Sequence, residues 1–159
     1  MRPPPRRGAA AVAGERLRRS ATVGNAERSG CVTSIESPEK KALLFCTCSG
    51  ACPSMEKINF WTLVERVRLE LADKVEFMAL HPRLCEEDGE RLMAHILTPL
   101  LTFITPACAE KRQEKLLRDG FAKAGVPMDS EHWVPISMAQ QDTEQVLAKI
   151  KAALENGSK

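Results

Sequence analysis

The segment ALLFCTC, residues 42–48, places four apolar residues directly before two cysteines. A short continuous apolar run of this kind is typical of a strand that is buried on both faces of a sheet. Two similar runs follow, VEFMAL at residues 75–80 and LLTFI at residues 100–104, and a shorter one, HWVPI, lies at residues 132–136. The chain is therefore expected to contain three or four buried strands.

Helical patterns occupy the segments between these runs. Asn59 is a suitable N-cap for a helix that ends near Ala72, and its Trp61, like Met93 in the next helix, is expected in the core. The other helices are expected to follow Cys85, to run from after Cys108 to about Ala124 before Gly125, and to begin at a capping box of Asp142 and Gln145. Strands that alternate with helices build a parallel sheet. The sequence therefore predicts an α/β fold: an open, mainly parallel three- to four-stranded sheet with flanking helices in a Rossmann-like three-layer sandwich.

Charge divides the chain into two parts. Residues 1–38 carry seven Arg and three Glu, a net charge of +4. Because the whole chain has a net charge of +2, the remaining residues have a net charge of −2. The first part has no sustained apolar period and is expected to be a disordered basic tail, in which Cys31 is an incidental thiol. Residues 39–159 are expected to form a single α/β domain that contains the clustered cysteines. Its acidic balance and its lack of Tyr argue against a nucleic-acid partner.

No apolar run is long enough for a membrane span, and no signal-peptide core is visible, so no membrane insertion and a cytoplasmic location are expected. In a reducing compartment, six cysteines indicate metal or redox chemistry more than structural disulfides. Neither a dinucleotide fingerprint, a phosphate-binding P-loop nor a nucleophile elbow is present. The chain therefore shows no flavin or nicotinamide site, and if it handles electrons, a partner is expected to supply the substrate chemistry.

Four cysteines follow the ends of the predicted strands: Cys46 and Cys48 the first, Cys85 the second and Cys108 the third. The carboxyl ends of parallel strands lie at one edge of a sheet, where ligands bind in open α/β folds. We expect these thiols to converge there and to hold an iron–sulfur cluster, namely [4Fe-4S]. Helix N-termini beside Cys85 and Cys108 are expected to lower the pKa of both thiols.

Cys52 completes a CxCxxxC run, which matches neither a standard ferredoxin spacing nor a paired zinc knuckle. It could be a fifth ligand, a substitute ligand or a labile thiol. His81, next to Pro82, is expected to form a turn and not to be a ligand. Two alternative functions stay open: a metal-free thiol or persulfide carrier or disulfide oxidoreductase, and a zinc-stabilised protein-binding module.

Three segments resemble the N-terminal domain of the flavin-containing subunit of heterodisulfide reductase: FCTC at residues 45–48, LCEEDGE at residues 84–90 and TPAC at residues 105–108. The resemblance covers roughly residues 41–127, although residues 49–52 read SGAC where that family continues with Gly-x-Asn-Ile. It implies a soluble iron–sulfur electron-transfer or accessory subunit whose partners are the other subunits of a heterodisulfide-reductase-like complex in sulfur metabolism. It also implies that Cys46, Cys48, Cys85 and Cys108 are the cluster ligands. By this resemblance the protein is one component of an oxidoreductase complex and not an enzyme by itself.

Overall fold

Four strands and four helices alternate in the computed structural model, which describes residues 40–156. The predicted tail and Cys31 lie outside the described residues, so the predicted domain boundary stays a prediction. The strands are β1 (Lys40–Cys46), β2 (Met78–His81), β3 (Leu101–Ala107) and β4 (Trp133–Ser137). The α-helices are α1 (Phe60–Leu71), α2 (Glu87–Ile96), α3 (Glu110–Ala124) and α4 (Thr143–Glu155), and short 3₁₀ turns occupy Cys48–Gly50, Pro53–Met55 and Ala72–Lys74.

All four strands are parallel, in the order β2-β1-β3-β4. From β1 the chain moves to the neighbouring β2 and then returns to β3 on the other side of β1. This change of direction creates a crevice beyond the carboxyl ends of β1 and β3, the place where open α/β sheets bind ligands. The predicted α/β fold with a parallel sheet is confirmed.

Helices cover both faces of the sheet. The alternation of side chains along β1 places Leu43 and Phe45 in a core with α1 and α4, while Ala42, Leu44 and Cys46 face the core formed with α2 and α3. Both cores are made of fully buried apolar side chains. The result is the predicted three-layer sandwich, in which Cys46 points toward the α2 and α3 side.

Local signals define the ends of several helices as predicted. The Asn59 side chain accepts a hydrogen bond of 3.0 Å from the Thr62 backbone N–H at the start of α1. Asp142 and Gln145 form the expected capping box of α4. Gly125 ends α3 in the left-handed conformation, with φ of 69°.

Lys41 connects the two ends of the described chain. Its side chain is almost fully buried, and its Nζ donates to the backbone oxygens of Ala153, Leu154 and Asn156 at 2.9, 3.0 and 2.8 Å. These carbonyls belong to the last turn of α4, where no further helical N–H is available to them. A cation is also favourable at the negative end of the helix dipole, so Lys41 caps α4 from the first strand.

Trp61 does not lie in the core, where the sequence predicted it, because 79% of it is exposed. The buried stripe of α1 consists of Leu63, Val67 and Leu71, and Trp61 lies outside that stripe. It lines a cavity of about 380 Å³ together with Leu80 and the loop after β1. Met93 is fully buried, as expected.

Strand boundaries also differ from the prediction. β2 begins at Met78 and not at Val75, and β3 continues past Ile104, where the predicted run ends, through Pro106 to Ala107. The Phe103 N–H donates to the His132 oxygen on the β4 side of β3. Successive backbone nitrogens along a strand point to opposite sides, so the nitrogen of Pro106, three residues later, points toward β1. The pairing of β1 with β3 ends at Ile104, so the N–H that proline lacks is not needed there.

Candidate functional site

Five cysteines line one cavity of about 350 Å³ at the carboxyl edge of the sheet, the edge where the strands end. We call it the cysteine cavity; its thiols are those of Cys46, Cys48, Cys52, Cys85 and Cys108. All five are unpaired thiols. The structure thus brings together the four residues predicted as ligands and adds Cys52, whereas their role as ligands stays a prediction.

Cys46 is the last residue of β1, the strand beside the crevice in the sheet. It is buried, and its register partner on β2 is His81. Beyond β1, Thr47 N–H donates to the His81 oxygen at 3.0 Å and Ser49 N–H to the Pro82 oxygen at 2.9 Å. These bonds extend the ladder past the strand and fix the loop that carries Cys48. His81 is the last residue of β2, and its Nδ1 accepts from the Arg83 N–H at 3.2 Å.

The loop after Cys46 makes a left-handed turn at three successive residues. Cys48, Ser49 and Gly50 have φ of 49°, 52° and 68°. Only glycine adopts this conformation freely, and each of the other two costs about 1–2 kcal/mol. Such strain is tolerated where the surrounding structure enforces it and is concentrated at functional sites. Here it turns the chain sharply, so that Cys48 and Cys52 face the same cavity.

Cys52 lies at the start of the second 3₁₀ turn, immediately before Pro53. Its Sγ is 3.0 Å from the Ser54 hydroxyl oxygen. The backbone oxygen of Ser54 accepts from the Gln140 N–H at 2.6 Å, which attaches this turn to the loop before α4. The position of Cys52 is therefore set by tertiary contacts that its spacing could not indicate.

Cys85 directly precedes Glu86, the N-cap of α2. The start of this helix packs very closely on the preceding loop: a Cβ at Gly89 would lie 2.5 Å from both the Arg83 oxygen and Leu84 Cα. Only glycine allows this approach. Gly89 therefore controls how near α2, and with it Cys85, can come to the end of β2.

Cys108 directly precedes Ala109, the N-cap of α3. Gln113, one turn into α3, is fully buried and donates from Nε2 to the oxygens of Cys108 at 2.6 Å and Ile136 at 3.0 Å. It thus ties the segment that carries Cys108 to β4. Its Oε1 has no hydrogen-bond partner among residues 40–156.

Gln113 and Arg112 also line the cysteine cavity, and neither was predicted from the sequence as a site residue. One signal was available for Gln113: it is a polar residue in the stripe that α3 buries with Leu117 and Phe121. Arg112 is exposed and carries no such signal. Its charge acts on Cys52 and Cys108 only because the fold brings α3 to the cavity.

The thiol pKa values correct one sequence-based expectation. Burial, followed by the neighbouring Cys46 thiol, raises the pKa of Cys108 to about 11. The same two causes raise the pKa of Cys85. Backbone N–H groups lower the pKa at both residues, but burial and the Cys46 thiol outweigh them, so the net shift is upward and not downward as expected. Burial and the proximity of Cys52 raise the pKa of Cys48, whereas the hydrogen bond from Ser54 lowers the pKa of Cys52.

These shifts have a direct chemical meaning. Negative thiolates crowded into a partly buried cavity repel one another, so the protein alone favours neutral thiols at most of these positions. A bound group of positively charged metal ions would remove that repulsion and displace the protons. The cavity is otherwise lined by apolar side chains and by the Arg112 guanidinium.

Within residues 40–156, no group of three or more His, Cys, Asp or Glu side chains is arranged so that it could hold a metal ion. Cysteine thiolates are the ligands that hold iron–sulfur clusters in proteins. The donor set, composed of thiols only, fits an iron–sulfur cluster.

The comparisons with known proteins leave the chain without an assigned family. No protein-family model matches it, and no curated protein or solved structure is significantly similar to it. In the part of the chain that the structure describes, no helix is both long and apolar enough to cross a membrane.

Proposed function

We propose that this protein is an iron–sulfur electron-transfer or accessory subunit that binds a [4Fe-4S] cluster in the cysteine cavity. The observation that carries the proposal is the convergence of Cys46, Cys48, Cys85 and Cys108 at one sheet edge. These residues are up to 62 positions apart in sequence, since the set begins at 46 and ends at 108. The ends of β1 and β3 and the starts of α2 and α3 together bring them into one cavity.

Different elements of the chain would supply the cysteine ligands. Cys46, Cys85 and Cys108 are fixed by regular elements, at the end of β1 and immediately before the N-caps of α2 and α3. Cys48 approaches from the strained loop. A bound [4Fe-4S] cluster supplies one-electron redox chemistry. Because four thiolates make the cluster an anion, the free N–H groups at the starts of α2 and α3 stabilise it.

The lining of the cavity also serves electron transfer. Met55, Leu116 and Leu117 exclude water from part of it, which limits hydrolytic loss of iron. Leu116 nevertheless stays 37% exposed, so the cavity is close to the protein surface. An electron acceptor could therefore approach without unfolding the site.

The proposed partners are the other subunits of a heterodisulfide-reductase-like complex in sulfur metabolism, in the cytoplasm. The support is the resemblance of residues 45–48, 84–90 and 105–108 to the N-terminal domain of the flavin-containing subunit. The three matching segments are the ones that contribute Cys46, Cys48, Cys85 and Cys108 to the cavity. On this proposal the chain passes electrons between partner cofactors and does not catalyse a reaction alone.

Anaerobic purification of the full chain, followed by visible absorption and by iron, sulfide and zinc analysis, tests the proposal. We expect a brown protein with equal amounts of iron and sulfide. Colourless protein loaded with zinc would replace the proposal by a zinc-stabilised binding module. Metal-free protein with titratable thiols would replace it by a thiol or persulfide carrier.

A further inference from the structure

We propose that Cys48 and Cys52 form a reversible dithiol–disulfide pair, a redox modification site that operates when the cysteine cavity holds no cluster. The coupling to the cluster rests on the proposed function, whereas the disulfide itself does not. The substrate class is a low-molecular-weight disulfide.

Proximity of the two thiols is the first observation. The Ala51 N–H donates to the Cys48 oxygen at 3.0 Å, which closes a turn between Cys48 and Cys52, and both side chains line the cysteine cavity. Cys48 and Cys52 are also half-buried, so a small molecule entering the cavity can reach them.

The backbone between them is the second observation. Residues 49–51 belong to neither a strand nor an α-helix, and Gly50 has a φ of 68° with nothing near the place of its absent Cβ. The bonds of Thr47 and Ser49 to the end of β2 hold only the first part of this loop, and the open space around Gly50 lets the rest shift enough to bring the two sulfurs to bonding distance. Cys46, Cys85 and Cys108 are instead attached to a strand or lie directly before helix N-caps, which restricts such movement.

The number of thiols is the third observation. A [4Fe-4S] cluster takes four cysteines, and the cavity contains five. Cys52 is the one that lies outside the four strand-end positions, and its Sγ is already in contact with the Ser54 hydroxyl at 3.0 Å. Cys48 would therefore be shared: it binds iron in the loaded protein and bonds to Cys52 in the empty, oxidised protein.

The reaction is a thiol–disulfide exchange in two steps. One protein thiolate attacks the small disulfide, forming a mixed disulfide and releasing the first small thiol. The second protein thiolate attacks the protein sulfur of that mixed disulfide and releases the second small thiol. The protein loses two S–H hydrogens and gains one S–S bond, and the oxidant is reduced to two thiols.

The test uses the full chain with Cys31→Ser, freed of metal, fully reduced and then exposed to glutathione disulfide. Free thiols are alkylated and the protein is digested with trypsin, which leaves residues 42–57 as one peptide with three cysteines. We expect two molecules of glutathione released per chain, and alkylation of Cys46 alone in that peptide. A lasting glutathione adduct, or a disulfide that links any other pair, would overturn the proposal.

The matched variant is Cys52→Ser, which keeps the size and a hydrogen-bonding group. In this variant we expect a persistent glutathione adduct on Cys48 and no internal disulfide. When it is purified anaerobically it should hold as much iron as the wild type, because Cys52 is not a ligand. Loss of iron from Cys52→Ser alone would make Cys52 a ligand and overturn the proposal. If the wild-type protein holds no iron, the proposed function fails, and the alkylation map still decides whether the disulfide forms.

Discussion

Five identical thiols acquire different properties from their positions around the cysteine cavity. Burial and neighbouring thiols raise the pKa of Cys108 to about 11, while the Ser54 hydroxyl lowers the pKa of Cys52. Cys85 and Cys108 each lie directly before a helix N-cap, so another cysteine of the chain cannot easily take the place of either thiol. Position in the fold therefore distinguishes the proposed ligands Cys85 and Cys108 from Cys52.

Replacing either Cys85 or Cys108 by alanine should remove the cluster. Each change takes one thiolate from a fixed position, and no other described thiol is attached to the same element. Iron content should fall from about four atoms per chain to well below one, with loss of the brown colour. Cys31→Ala is the control and should keep the spectrum, whereas full iron content in both cavity variants would refute the proposed ligand set.

The Arg112 guanidinium should raise the reduction potential of the cluster. Its charge already acts on Cys52 and Cys108, and a positive charge favours the more negative reduced state. Arg112→Gln should lower the midpoint potential by roughly 20–60 mV, a modest amount because the side chain is exposed and screened. Potentiometric titration measures this shift. Lys111→Gln, which removes a neighbouring charge that does not line the cavity, should change the potential less; equal shifts would contradict a specific role for Arg112.

At the scale of elements, the site depends on how closely helices approach the strand ends. α2 begins against the loop before it, and Gln113 joins α3 to β4 through the Ile136 oxygen and to the segment before α3 through the Cys108 oxygen. The loop after β1 is held by backbone bonds to the end of β2. Each cysteine thus inherits its position from a contact between two elements.

Gly89→Ala should destabilise the protein by about 2–4 kcal/mol, because the added Cβ would collide with backbone atoms of residues 83 and 84 that cannot move independently. Chemical denaturation of the metal-free protein measures this loss. Gly120→Ala is the matched control: its Cβ would meet the end of the flexible Met93 side chain, so its cost should be smaller. A larger loss for Gly120→Ala would show that the backbone contact at Gly89 is not limiting.

Elements with strong local signals were predictable from the sequence. The apolar runs gave the strands, and Asn59, Gly125 and the pair Asp142 and Gln145 gave helix ends that the structure confirms. The prediction that Trp61 lies in the core was wrong. The apolar pattern of α1 does not show which of its adjacent apolar residues will pack against the sheet. The start of β2 and the end of β3 were also wrong, since pairing with neighbouring strands sets them.

The candidate site was predictable only in part, for a related reason. The shared edge of a parallel sheet predicts that Cys46, Cys85 and Cys108 approach one another, and this follows from topology alone. The left-handed turn at Cys48, the buried Gln113 and the raised thiol pKa values depend on packing between distant segments. Such properties have no local pattern in the sequence.

For the whole molecule, the cysteine cavity lies where the chain reverses its direction of travel through the sheet, between β1 and β3. The cavity is bounded by residues from β1, the following loop and α3, and by Cys85 before α2. A group bound there would contact residues that pack against the cores on both faces of the sheet, so its binding would be coupled to folding.

Cluster removal should lower the melting temperature of the full chain. Iron that binds only the folded state stabilises it by mass action, and about 2–3 kcal/mol would correspond to roughly 8–15 °C for a domain of this size. Anaerobic thermal unfolding before and after treatment with an iron chelator measures the change. The Cys85→Ala variant, which lacks the cluster already, should show no further loss, and an equal loss in both proteins would indicate that the chelator acts elsewhere.

The buried Lys41 has a consequence for the order of events during synthesis. Its ammonium group needs carbonyls at Ala153, Leu154 and Asn156, more than a hundred positions later in the chain. A nascent polypeptide can form much of the sheet while this lysine is still solvated by water. The three hydrogen bonds that join β1 to the end of α4 can therefore form only after translation has passed Asn156.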